Sequence, residues 1–249
     1  MIRILPKQRS IMAALDFVGL GNPLRGAKRA VLSRRHGGWI PLVPERAFTE
    51  CCRQAIGTLR SKGQERFGDY FEFGVSRGTS FACMHNALEA EGLNSVRLIG
   101  FDSFEGMPPE SAEEGWVPGQ FRSTIDQTRT YLTERGVDWG RAHLVPGWFR
   151  ETLTEATRQE FKLTNASLVM VDCDIYSASR DVLWFVEPLI RERAVIFFDD
   201  WGPQEAKREI GQQEAFAEFQ LAFPSLQAQP LESYADSARV FLLERQRYD

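Results

Sequence analysis

Histidine and cysteine are scarce in this 249-residue chain, with three of the first and four of the second. His36, His85 and His143 have no spacing that would bring two to one metal, so they read as surface or packing residues. Cys51, Cys52, Cys83 and Cys173 include no C-x-x-C pair, which excludes a zinc ribbon and a disulfide framework and leaves reduced thiols. No run approaches the roughly 18 apolar residues of a membrane span. A continuous signal-peptide core is also missing, so a cytoplasmic location is expected. A strong charge of either sign is lacking too. The formal net charge of −4 argues against a nucleic-acid partner, because phosphate contacts need a concentrated positive field. One stretch departs from that balance. Between Arg3 and Arg35, Lys7, Arg9, Arg25, Lys28, Arg29 and Arg34 are opposed only by Asp16, a basic, acid-poor character faintly like a transit peptide.

Hydrophobic residues make up 43% of the chain and charged ones 26%, enough apolar side chain for a sizeable core. Residues 1–45 are broken by Gly19, Gly21, Pro23, Gly26, Gly37, Gly38, Pro41 and Pro44, and are expected to form an irregular basic arm. Residues 46–249 read as a single domain. Phe48, Cys52, Ile56 and Leu59 recur at helical spacing up to Gly63. Strands are then predicted at 69–73, 96–101, 143–145, 167–171, 194–198 and 239–243. Helices are predicted through Phe81 to Leu88, Ile125 to Leu132, Glu151 to Phe161, Arg180 to Ile190 and Gln204 to Leu221. Short apolar strands alternating with helices imply a doubly wound α/β domain with a mostly parallel, seven-stranded, Rossmann-like sheet covered on both faces. Residues 103–122 break the rhythm with Gly106, Pro108, Pro109, Gly115, Pro118 and Gly119, and a loop of that length is expected to be a lid.

Ligands of such sheets bind beyond the carboxyl ends of the strands, so acids there are the informative ones. Glu72 stands beside the first turn, Asp102 after the second strand, Asp172 after the fourth, and Asp199 and Asp200 after the fifth. A single acid of this kind is often only a helix cap; four strand ends on one rim are a pattern. The first turn, Glu72-Phe73-Gly74-Val75-Ser76-Arg77-Gly78, lacks the G-x-G-x-x-G pyrophosphate fingerprint. Such a turn suits a ligand without phosphate, for example S-adenosylmethionine, with Asp102 accepting from its ribose hydroxyls. Asp172, Asp174, Asp199 and Asp200 would repel one another unless a cation compensated them, and all-oxygen donors favour Mg²⁺, Mn²⁺ or Ca²⁺ over zinc. Neutralisation by Arg77 or Arg180 is the alternative.

Five segments carry a resemblance. They are Tyr70-Phe71-Glu72-Phe73-Gly74-Val75-Ser76-Arg77-Gly78, Gly100-Phe101-Asp102-Ser103-Phe104-Glu105-Gly106, Val145-Pro146-Gly147-Trp148-Phe149, Val171-Asp172-Cys173-Asp174-Ile175-Tyr176 and Phe198-Asp199-Asp200-Trp201. Together, in this order, they resemble the macrocin O-methyltransferase (TylF-like) family, metal-dependent sugar O-methyltransferases of the class I fold. The resemblance implies cofactor contacts from Glu72, Phe73, Gly74, Ser76 and Ser80, from Asp102 and Ser103, from Gly147 and Trp148 near the adenine, and from Asp172. It implies Mg²⁺ (or Mn²⁺) on Asp172, Asp199 and Asp200, with Asp174 as general base and Asp172 also catalytic. The implied partner is a small-molecule hydroxyl acceptor, a glycoside, and the chain is compatible with a homo-oligomer. Trp116 and Phe121 of the lid are candidates for shedding water or for anchoring the loop.

Two other readings compete. Asp172-Cys173-Asp174 is also the D-x-D pattern of metal-dependent glycosyltransferases, a reading that leaves Gly74, Gly78 and Asp102 unused. A non-catalytic methyltransferase-like scaffold would be expected to have lost the acids that this chain keeps.

Overall fold

A computed structural model describes residues 43–114, 116–201 and 211–246. The expected basic arm up to residue 42, with His36, lies outside the described residues, as do Gly115 and the expected helix start at 204–210. Helix α1 (Glu45–Ser61) buries Phe48, Cys51, Cys52, Ala55, Ile56 and Leu59, the apolar stripe that its spacing predicts. Then come β1 (Asp69–Phe73), α2 (Thr79–Ala90), β2 (Leu98–Asp102), α3 (Ile125–Glu134) and β3 (Ala142–Pro146). Short helices α4 (Phe149–Thr152) and α5 (Glu155–Glu160) lead to β4 (Ala166–Val171), α6 (Tyr176–Val186) and β5 (Arg193–Phe198). Helix α7 (Gln212–Ala222) and strands β6 (Leu226–Leu231) and β7 (Arg239–Arg245) complete the described elements.

The strands form one seven-stranded sheet in the order β3-β2-β1-β4-β5-β7-β6. The first five run parallel, and β7 pairs antiparallel with both β5 and β6. Alternation along each strand splits the core between the faces. Tyr70, Leu98, Leu168, Met170, Val195 and Phe197 pack with α1 and α2. Phe71, Phe73, Ile99, Phe101, Val169, Val171, Ile196 and Phe198 pack with α6 and α7. The expected doubly wound architecture is present.

Several boundaries differ from expectation, each for a local reason. The single polar helix expected over 151–161 is two helices. Thr154 breaks it by taking the N-cap of α5, its hydroxyl accepting from Thr157 N at 3.2 Å. Helix α6 starts at Tyr176 rather than Arg180 because the Glu114 carboxylate, from the 103–122 loop, accepts from Tyr176 N at 2.7 Å and Ser177 N at 3.3 Å. It ends in a 3₁₀ turn over Glu187–Leu189, where Pro188 has no N–H to continue an α-helix. Strand β6, Leu-Gln-Ala-Gln-Pro-Leu, was not among the six strands located from the sequence. It is an exposed edge, the one place in a sheet where Pro230 needs no ladder donor.

Candidate active site

The register sets the rim. Phe73 pairs with Phe101 on one side and Val171 on the other, and Val171 pairs with Phe198. The ladder then runs one residue further: Gly74 N donates to Phe101 O at 2.9 Å, Asp172 N to Phe73 O at 2.9 Å and Asp199 N to Val171 O at 3.2 Å. Gly74, Asp102, Asp172 and Asp199 are thereby held side by side at the carboxyl edge, where such sheets bind ligands.

Gly74 is required at its place. Its φ is +93°, and a Cβ there would lie 1.7 Å from the Asp172 carbonyl oxygen. Gly78, at φ +96°, leaves room for Leu132 of α3, which a Cβ would approach to 2.7 Å.

A cavity of about 640 Å³ opens over this rim. That size lies within the roughly 300–1,000 Å³ of small-molecule sites. Of the residues expected to contact a cofactor, Gly74, Ser76, Asp102, Ser103, Gly147, Trp148 and Asp172 line it, as do Asp174, Asp199 and Asp200. Glu72, Phe73 and Ser80 do not line it; they are buried beneath the turn. Of the five described non-glycine residues with left-handed backbone, Ser76 (φ 46°), Phe121 (φ 63°) and Asp174 (φ 60°) line the cavity, whereas Phe104 and Lys162 do not.

Asp102 is fixed by two backbone donors. Its Oδ2 accepts from Ser76 N at 2.7 Å and its Oδ1 from Phe104 N at 2.6 Å. Burial pushes its carboxyl pKa up, against the lowering effect of those hydrogen bonds. Glu72 shares a buried network with Tyr70 Oη and with Ser80 Oγ, which donates at 2.8 Å. Burial outweighs these donors and pushes Glu72 up to about 8.

Asp172, Asp199 and Asp200 each offer an oxygen, and those oxygens lie within 4.8 Å of one another. Burial first, then the charges of Asp199, Asp200 and Asp174, hold Asp172 well above the usual carboxylate range. Asp199 is raised by burial and lowered by a hydrogen bond from Tyr234 Oη. Arg180 does not neutralise this cluster, because its Nε is 3.3 Å from Glu218 of α7.

Three contributors had no sequence signal. Tyr234 and the cavity-lining Ser237 come from the β6–β7 loop. Gln212 is fully buried: its Oε1 accepts from Asp200 N at 3.1 Å, and its Nε2 donates to Val171 O at 3.2 Å. Ordinary polar residues in or beside a loop are recognisable only once folding brings them to the acids.

The 103–122 loop carries a 3₁₀ turn over Pro109–Glu114. Trp116 anchors it, buried in a small cluster with Met107 and Ile175, whereas Phe121 faces the cavity. Two histidines behave as packing residues. His85 Nε2 accepts from Asp138 N at 3.1 Å, with burial lowering its pKa, and His143 packs edge-on against Phe161.

A mostly parallel seven-stranded sheet with an antiparallel pair at one side, bearing its cavity at the parallel carboxyl edge, has the fold of a class I methyltransferase. The chain belongs to the macrocin-O-methyltransferase (TylF) family, whose profile matches residues 46–221. It is 29% identical over 143 residues to the 8-demethyl-8-(2,3-dimethoxy-alpha-L-rhamnosyl)-tetracenomycin-C 4'-O-methyltransferase of Streptomyces olivaceus, covering 54% of this chain and 53% of that protein. It is 24% identical over 145 residues to the demethyldecarbamoylnovobiocin O-methyltransferase of Streptomyces niveus, with the same coverage. The chain spans about half the length of these curated relatives. The solved O-methyltransferase NovP shares the fold at TM-score 0.64 and 20% identity over 82% of this chain and 80% of that one. The calicheamicin methyltransferase CalS11 does so at 0.61 and 19%, over 96% and 94%. Among the described residues no helix is long and apolar enough to cross a membrane.

Proposed function

We propose that the chain is an S-adenosylmethionine-dependent O-methyltransferase acting on a hydroxyl of a glycoside, with Mg²⁺ or Mn²⁺ held by Asp172, Asp199 and Asp200. The observation that carries this reading is one cavity shared by the Gly74–Ser76 turn, Asp102 and the three-carboxylate cluster. The donor set fits a hard divalent cation: three oxygens at close range, no sulfur or imidazole ligand among the described residues, and a part-buried Asp172 whose charge its neighbours disfavour.

S-adenosylmethionine supplies an electrophilic sulfonium methyl group. A bound cation supplies charge compensation and lowers the pKa of a hydroxyl beside it. In this reading the Gly74 turn brings backbone close to the cofactor, and Asp102, already oriented by Ser76 and Phe104, accepts from its ribose. Gly147 and Trp148 wall the adenine side. Glu72, Phe73 and Ser80 hold the turn from below rather than touching the cofactor. Asp174 would receive the proton that the acceptor hydroxyl loses as its oxygen bonds to the methyl carbon and the carbon–sulfur bond breaks, with S-adenosylhomocysteine leaving, a general-base role worth about 10²–10⁴ in rate.

The acceptor is taken to be neutral or cationic. The described cavity wall carries seven acidic side chains and one basic one, Arg150, which lies 3.4 Å from Glu110. The D-x-D glycosyltransferase reading gives no role to Gly74 and Asp102, which share this cavity with the acids. The deciding measurement is methyl transfer from labelled S-adenosylmethionine across a panel of glycosides. Turnover should vanish in excess EDTA and return with Mg²⁺. Full-rate turnover in EDTA would remove the metal. Binding of a nucleoside diphosphate, with none of S-adenosylhomocysteine, would remove the methyltransferase reading itself.

A further inference from the structure

The strongest feature left unassigned is Tyr234, which lies beyond residues 46–221, the span matched by the family. Its hydroxyl donates to Oδ1 of Asp199, and its ring is buried. The ring is fixed edge-on against Phe48 of α1, centroids 4.8 Å apart and planes at 82°. Phe48 in turn packs edge-on against Phe197 of β5, 5.8 Å away. The phenol is therefore held by one core aromatic, itself braced by a second, and aimed at one oxygen of one acid.

That geometry bears on how Asp199 meets a cation. A carboxylate can ligate through one oxygen or both. With Oδ1 accepting from the phenol, a bidentate grip would have to displace or share that hydrogen bond, and a single-oxygen grip through Oδ2 would not. Mg²⁺ wants six ligands in a tight octahedron at about 2.0–2.1 Å and keeps several waters, while Ca²⁺ takes six to eight oxygens at about 2.3–2.6 Å and uses bidentate carboxylates freely. Partners that orient a ligand commonly shift metal affinity by about 10–100-fold when removed. Asp200 is braced differently, through the backbone, by Gln212.

We propose that Tyr234 is a positioning residue that holds Asp199 to a single ligand oxygen and so makes this site select a small octahedral cation over Ca²⁺. The inference rests on the metal assignment above.

The test is calorimetric titration of Mg²⁺ and of Ca²⁺ into the full chain and into Tyr234→Phe, without cofactor or acceptor. Mn²⁺ binding is followed in parallel by electron paramagnetic resonance. Phenylalanine keeps the packing on Phe48, so melting temperature and S-adenosylhomocysteine affinity should stay unchanged. The expected result is tighter Mg²⁺ than Ca²⁺ binding in the parent, with the variant losing about tenfold in Mg²⁺ affinity and most of the preference. An unchanged Mg²⁺ to Ca²⁺ ratio in a folded variant overturns the inference and leaves the metal site standing. A parent that binds neither cation overturns both. A variant that melts early is replaced by Phe48→Leu, which loosens the ring while keeping its hydroxyl; loss of cation preference there supports the proposal, and an unchanged preference overturns it.

Discussion

Strand β4 is buried along all six of its residues, whereas β6, at the sheet's edge, buries only Leu226. The two regions serve the cavity in different ways. Parallel strands β1, β2, β4 and β5 deliver Gly74, Asp102, Asp172 and Asp199 directly, each one residue past its strand or at its last residue. The antiparallel pair delivers nothing from its strands. Its connecting loop supplies Tyr234 and Ser237, which hold and flank acids that the parallel strands provide. Central strands thus place acids on the cavity wall, and the loop beside the edge places the groups that hold and flank them.

The largest effect should come from the rim itself. Asp174→Asn should lower kcat by about 10²–10⁴ while S-adenosylhomocysteine and Mg²⁺ still bind, because the amide keeps the shape and loses the base. Single-turnover kinetics separates the steps. A variant with parental kcat would leave the parallel edge with a scaffolding role only and dissolve the contrast with the loop.

A smaller effect should come from Glu72, whose pKa is raised from 4.5 to about 8 by burial against its hydrogen bonds. The native state therefore keeps a proton that the unfolded chain has lost between those pH values. Its contribution to stability is complete below the unfolded pKa and is lost as pH rises through 8, on the order of a few kcal/mol in all. Urea denaturation at intervals from about pH 5 to 9 should show that decline, and Glu72→Gln should flatten it. An equal decline in the variant would mean that the titrating group lies elsewhere.

The smallest effect belongs to the edge. Pro230 is exposed and pairs only with Phe241 of β7. Pro230→Thr should change thermal stability by no more than about 0.5 kcal/mol, the usual scale at a surface position. A loss of several kcal/mol would show that β6 carries the fold as β4 does.

The elements that were legible follow the same division. Strands β1, β4 and β5 are buried on both faces; β4 and β5 are nearly continuous apolar runs, β1 is marked by Tyr70, Phe71 and Phe73 ahead of Gly74, and each reads within a residue of its true bounds. Strand β6 is half exposed and carries two glutamines and a proline, so no period marks it. The start of α6 has no local signature because its capping group, Glu114, lies 62 residues earlier in the chain. Local propensity cannot register a partner at that distance.

Alternation of apolar runs with helical stripes was enough to establish the doubly wound class, because burying a sheet on both faces requires that pattern. Acids at strand ends were enough to nominate the rim, since only one edge of a parallel sheet gathers the carboxyl ends. Which of the nominated residues face the cavity depended on folding: Glu72, Phe73 and Ser80 went beneath the turn and Asp102 onto its wall, by the direction each side chain takes from its strand or helix. The restraint on Asp199 depended on it entirely. Tyr234 lies 35 residues further along the chain, and only the antiparallel return of β7 beside β5 carries the loop that holds it to the acid.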